Sequence, residues 1–112
     1  MNGCVFCSII NKQIKADVVY EDRDFIVIKD IKPIAKCHCL IIPTAHYANL
    51  NEMSVFDANS LSSIMKKIPE IVEKLGIKNG YRLCINQGED AGQTVQHLHI
   101  HLLGGQKMTF TV

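Results

Sequence analysis

Apolar residues recur along this chain in two periods, and the change from one to the other divides it into elements. Runs that alternate or are continuously β-branched mark strands, because successive side chains of an extended chain point to opposite faces. Val18-Val19-Tyr20 reads as a short first strand, and Glu21 to Asp24 as a polar turn. Phe25 to Lys29 is a second strand, rich in β-branched residues. Cys37 to Ile42 is a third, stopped by Pro43. The pattern then becomes helical: Leu61, Ile64, Met65, Ile68, Ile71, Val72 and Leu75 fall on one face at helical spacing. Asp57 is placed to cap this helix and Gly76 to end it. Pro69 lies inside the pattern and is expected to kink or split the helix near Ile68. Lys78-Asn79-Gly80 turns the chain into a fourth strand, Tyr81 to Asn86, and a polar loop follows from Gln87 to Gly92. The last strand is the most regular: His97-Leu98-His99-Ile100-His101-Leu102-Leu103, ended by Gly104-Gly105. A short helix from Cys7 to Asn11, turning Phe6, Ile9 and Ile10 inward, precedes all of this. The order predicts an α+β fold. It consists of a five-stranded, mostly antiparallel sheet with one long helix covering a face, plus a short N-terminal helix.

With 112 residues, 47% of them hydrophobic, the chain suits a single domain over 1–112. A net charge of +1 gives no broad electrostatic footprint for nucleic acid or a membrane surface. The longest apolar runs fall far short of a bilayer span. Met1-Asn2-Gly3-Cys4 shows no charged segment followed by an apolar one, so a signal peptide is not expected and a cytoplasmic location is. Five cysteines make an odd count. In a reducing compartment that points to metal binding or burial rather than a disulfide framework.

The histidine strand concentrates the chemistry. Three of the five histidines lie on it, at i, i+2 and i+4, and so on one face, while Leu98, Ile100 and Leu102 turn to a core. Such a row serves as a metal site, as three-histidine zinc sites do, or as a nucleophile with neighbours that position charge. Spacing alone does not choose between them. Cys4-Val5-Phe6-Cys7 has the spacing to grip one metal ion, given two further ligands from among His38, His46 and His97; a redox pair or simple burial are the alternatives. Cys37-His38-Cys39 splits across the strand, so its cysteines read as core and His38 stands on the other face with Leu40 and Ile42. Asn86 and the loop from Gly88 to Thr94 bring an amide, a hydroxyl and glycine backbone, a set suited to phosphate but also ordinary turn material. Asp30-Ile31, at a strand end, offers a carboxylate for sugar hydroxyls or simply a turn.

His97 to Leu103 resembles the signature of the histidine triad (HIT) nucleotide hydrolases and transferases. Cys4-x-x-Cys7, Tyr20-Glu21-Asp22, Asp30-Ile31-x-Pro33, Ile42-Pro43-x-x-His46, Gly80-Tyr81-Arg82, Asn86-x-Gly88 and Ala91-Gly92-Gln93-Thr94-Val95 resemble that family's segments, over roughly residues 4 to 110. Gly104-Gly105 is similar to the Hint branch of purine nucleoside phosphoramidases.

The resemblance implies the HIT-like fold and a covalent mechanism. His99 would be the nucleophile at the α-phosphorus of a nucleoside 5′-phosphoramidate or acyl-nucleotide. His101 and Thr94 would contact phosphate oxygens with Asn86 and the Gly92-Gln93 backbone, Thr94 standing where Ser is frequent. His38 would support the site from the next strand. Asp30 would bind ribose, with Ile31 beside it, and Phe6, Ile9, Ile14 and Ile28 would line a base pocket for a purine nucleotide such as AMP or GMP. Bacterial relatives with the cysteine pair bind zinc through residues that match Cys4, Cys7, His46 and His97. Four protein ligands make such a zinc structural. The resemblance also implies a homodimer joined across the long helix and the fourth strand, and a tail in which Phe110 approaches the partner's site. Dinucleoside polyphosphate hydrolysis and a non-catalytic nucleotide-binding regulatory module are the other functions it allows.

Overall fold

The structure, a computed structural model, describes residues 3–109. Its elements are α1 (Val5–Ile10), β1 (Val18–Glu21), β2 (Phe25–Lys29), β3 (Cys37–Pro43), α2 (Val55–Lys74), β4 (Tyr81–Cys84) and β5 (Ile100–Gly104). Short 3-10 turns occupy Leu50–Glu52 and Glu89–Ala91. The five strands form one sheet in the order β1-β2-β3-β5-β4, and every neighbouring pair is antiparallel. The sequence places the strands and the two helices correctly, and the differences are local.

The β1–β2 turn is closed by one side chain. Asp22 Oδ1 accepts from the N–H groups of Asp24 at 2.8 Å and Phe25 at 3.2 Å, while Tyr20 Oη donates to Oδ2 at 2.9 Å. Helix α2 starts earlier than its apolar stripe suggests. Ser54 is the N-cap, and Asp57, expected as the cap, is instead the third helical residue of a capping box: Ser54 Oγ accepts from Asp57 N–H, and the Asp57 carboxylate accepts from Ser54 N–H, each at 3.0 Å. The helix also runs unbroken through Pro69. Pro69 is exposed, so the hydrogen bond it cannot donate is lost on the solvent side, where water replaces it.

The sheet is covered on both sides. Ile64, Ile68, Ile71 and Val72 of α2 pack on Phe25, Val27, Ile41, Ile100 and Leu102, with Cys39 among them. On the other side Phe6 and Ile9 of α1 pack on Ile26, Ile28, Leu40 and Ile42. Strands β2 and β3 are therefore buried on both faces, which is why they read as continuous apolar runs. Helix α1 covers only part of its face. The remainder of that face carries His38 of β3, His101 of β5 and the end of β4.

Candidate functional site

The histidine run does not lie wholly in the sheet. The β5 ladder begins at Ile100, so His97, Leu98 and His99 approach it as extended chain and only His101 is a strand residue. Alternation nevertheless holds: Leu98, Ile100 and Leu102 are fully buried under α2, and the imidazoles share the other face. Leu98 N–H donates to the carbonyl of Tyr47 at 2.8 Å, so a loop strand substitutes for the missing ladder partner.

Each imidazole is set by a different neighbour. His99 Nδ1 is 2.8 Å from the carbonyl of His97, which only a protonated Nδ1 can satisfy. The neutral ring then carries its lone pair on Nε2. Phe6 packs edge-on against this ring, centroids 5.0 Å apart. His38 Nδ1 accepts from Ile34 N–H at 3.1 Å, so its proton sits on Nε2, 3.0 Å from His101 Nδ1 and 3.3 Å from Asp30 Oδ2. His101 accepts at Nδ1 and keeps its own proton on Nε2. Burial, and then His99 and His38, lower the pKa of His101, against the opposing pull of Asp30. The face thus presents a lone pair on His99 and a donor on His101, rings 5.2 Å apart.

His97 faces away from this pair. Its Nε2 donates to the carbonyl of Pro43 at 2.8 Å, leaving the Nδ1 lone pair pointing among Cys4 Sγ at 3.4 Å, Cys7 Sγ at 3.6 Å and His46 Nδ1 at 3.0 Å. Cys7 Sγ is 3.3 Å from His46 Nδ1. Burial of His97, which is fully enclosed, lowers its pKa to about 4 in spite of the Pro43 hydrogen bond. These four residues can hold a metal ion. The fit is close: tetrahedral coordination at zinc bond lengths separates nitrogen and sulfur ligands by roughly 3.3–3.8 Å. The donor on the far side of His97 is the arrangement metal-bound histidines use.

Asp30, His38 and His101 also lie within metal-bridging distance of one another. Here the same test fails. The outer nitrogen of His38 accepts a hydrogen bond instead of donating one, so Nε2 carries a proton where a metal would need a lone pair. This group is a hydrogen-bonded relay.

Phe6, Ile9, Ile14, Ile28, Asp30 and Ile31 line one cleft of about 490 Å³, with Leu40 at its floor. Ile31 stands at its edge, 92% exposed. Asp30 is both turn and site residue: Oδ1 accepts from Lys32 N–H at 2.8 Å while Oδ2 faces His38. Asn86 and Cys84 line a second cleft together with His38, His101 and Ile34. Strand β4 ends at Cys84, so Asn86 lies just past it rather than in it.

Thr94 is exposed and borders a third cleft shared with Cys4 and His46. The N–H groups of Gly92 and Gln93, expected to serve phosphate, close the loop on itself, donating to Glu89 and Gly88 carbonyls at 2.9 and 3.1 Å. The Gln93 side chain is buried. Sequence reasoning missed that side chain, the Pro43 carbonyl and the Ile34 amide. Only Pro43 left a signal, in the Ile42-Pro43-x-x-His46 segment. Phe110 lies outside the described residues.

Comparison with known proteins agrees with this fold. A family model described as "HIT domain" matches residues 11–108. Protein HitA of Neisseria gonorrhoeae is 41% identical over 93% of this chain and 97% of its own length. A solved structure named HIT family hydrolase from Clostridium thermocellum is 47% identical, covers 100% of this chain and 98% of its own, and superposes with a TM-score of 0.94. A histidine triad protein from Clostridium difficile is 34% identical over 100% and 98%, also with a TM-score of 0.94.

Proposed function

The chain belongs to the histidine triad (HIT) family, and on that premise we propose that it is a nucleotide hydrolase of the phosphoramidase type. The substrate is a purine nucleoside 5′-phosphoramidate or acyl-nucleotide, and the product is the nucleoside monophosphate, AMP or GMP. The observation that carries this is the 2.8 Å hydrogen bond from His99 Nδ1–H to the His97 carbonyl, which leaves a lone pair on Nε2. It makes His99 a nucleophile already in the required tautomer.

Base and ribose occupy the cleft of Phe6, Ile9, Ile14 and Ile28, with Asp30 and Ile31 at the ribose. The α-phosphate rests between His99, His101, Thr94 and Asn86. His99 Nε2 attacks phosphorus, the bond to the leaving group breaks, and the leaving group departs with its electron pair and takes up a proton. Water then attacks the nucleotidyl-His99 intermediate, the P–N bond breaks, and His99 is regenerated. Splitting the reaction in two is covalent catalysis. The donor on His101, fixed by the relay from His38, meets charge developing on the phosphoryl oxygens.

Cys4, Cys7, His46 and His97 would hold a zinc ion, and its role would be structural. Four protein ligands would leave such an ion no open position for substrate, and the lone pair used in catalysis is on a different ring. The chain acts as a homodimer: β4 is an edge strand, and Tyr81 on it and Met65 on α2 are exposed apolar surface. Among the described residues no helix is long and apolar enough to cross a membrane. The site is expected to work in the cytoplasm.

The test is turnover of adenosine phosphoramidate. His99→Ala is expected to lose about 10³-fold or more in kcat while still binding AMP. His101→Ala is expected to lose about 10²-fold, the cost of one donor to a developing oxyanion. Activity near wild type in His99→Ala contradicts the assignment.

A further inference from the structure

Gln93 is 6% exposed, and its carboxamide is fully engaged within the chain. Oε1 accepts from Gly88 N–H at 2.9 Å, and Nε2 donates to the carbonyls of Ala48 at 2.6 Å and Val95 at 3.2 Å. Gln93 N–H returns to the Gly88 carbonyl at 3.1 Å, so main chain and side chain close the same loop. Thr94 stands between Gln93 and Val95, and one carboxamide therefore holds both of its neighbours.

Ala48 belongs in turn to a three-residue strap whose members each reach a different part of the site.

 

His46 Nδ1 lies 3.0 Å from His97 Nδ1 in the metal cluster. The Tyr47 carbonyl accepts from Leu98 N–H at 2.8 Å, between the metal-binding His97 and the nucleophilic His99. The Ala48 carbonyl accepts from Gln93. The cleft bordered by Cys4, His46 and Thr94 joins the same two regions through solvent.

We propose that Gln93 is a positioning residue that, through the strap His46–Tyr47–Ala48, couples metal occupancy of the Cys4, Cys7, His46 and His97 cluster to phosphate binding at the Thr94 loop. The coupling rests on the nucleotide-hydrolase reading above. A metal ion fixes His46 and with it the Ala48 carbonyl two residues on. Gln93 then holds the loop in its binding form before phosphate arrives, so less ordering entropy is lost on binding. Coupling between two binding events is reciprocal, so bound phosphate must tighten the metal by the same factor.

The experiment uses the full chain with Zn²⁺ and AMP as probes. Zinc affinity is read by competition with a chromogenic chelator, with and without saturating AMP, and AMP affinity is read by calorimetry on zinc-loaded and zinc-free protein. About fivefold or greater tightening in both directions is expected for the wild type, the low end of ordinary allosteric coupling. In Gln93→Met, which keeps the length and loses the hydrogen bonds, the factor is expected to fall toward one. Gln93→Glu keeps the acceptor for Gly88 N–H but sets an acceptor against the Ala48 carbonyl, and it is expected to do the same. A purely structural role would weaken the fold and leave the ratio unchanged. Both affinities are read at a temperature where circular dichroism shows the zinc-free protein folded, because coupling through unfolding would tighten both ligands whatever residue stands at position 93. Equal zinc affinity with and without AMP in the wild type overturns the proposal, and so does a coupling that survives undiminished in both variants. Absence of AMP binding to zinc-loaded wild type removes the nucleotide reading and this proposal together, whereas binding without coupling removes this proposal alone.

Discussion

Main-chain groups decide what the histidines can do. The carbonyl of His97 gives His99 its reactive tautomer, the carbonyl of Pro43 aims the His97 lone pair at the cysteines, and the amide of Ile34 sets the relay from His38 to His101. His101 also makes a pH prediction. Its folded pKa is lowered from 6.5, by burial first and then by His99 and His38. Between 6.5 and the lower folded value the unfolded chain binds more protons than the folded one. The stability from His101 is therefore complete above that window and is lost as pH falls through it. Denaturant midpoints are expected to fall from pH 7.5 to pH 5.5, and to fall less in His101→Gln. An equal fall in both proteins contradicts this.

At the scale of elements, the two hydrophobic periods made the strands and α2 legible. What escaped was set by contacts distant in sequence or by single side chains. The last strand shortens to Ile100–Gly104 because Leu98 pairs with the Tyr47 loop instead of a sheet neighbour. The cap moves to Ser54 because capping depends on a reciprocal pair and not on the nearest acidic residue. The four-residue metal cluster was legible only with the family pattern, since its two histidines are far from Cys4 and Cys7 in sequence. Gly104-Gly105, which resembles a branch marker, also has a local cause. A Cβ on Gly104 would lie 2.9 Å from Ile77 Cδ1 and 3.3 Å from the Gly80 carbonyl, and Gly105 has φ +81°. Gly104→Ala is expected to cost about 1–3 kcal/mol by overpacking. Ser54→Ala is expected to cost about 1 kcal/mol by removing the cap. Urea denaturation measures both, and an unchanged midpoint in either variant contradicts the corresponding contact.

Across the whole molecule, α1 joins structure to chemistry. Cys4 caps it, Cys7 sits in its first turn, and Phe6 between them packs edge-on against both His97 and His99. Stripping the metal is therefore expected to loosen α1 and lower the thermal midpoint, while protein that stays folded keeps its kcat at saturating substrate. Differential scanning calorimetry with and without chelator, alongside kcat at saturating substrate, checks this; immediate loss of kcat without loss of fold would mean that the metal takes part in the chemistry. Sedimentation equilibrium tests the homodimer, and a monomer at micromolar concentration would contradict it. The central claim is that His99 is a nucleophile, and trapping its adduct tests that most directly. Protein mixed with adenosine phosphoramidate, quenched in denaturant and mapped by peptide mass spectrometry is expected to carry one adenylyl group on His99 and none in His99→Ala. Single-turnover product release with no adduct at any time, or an adduct on another residue, would contradict it.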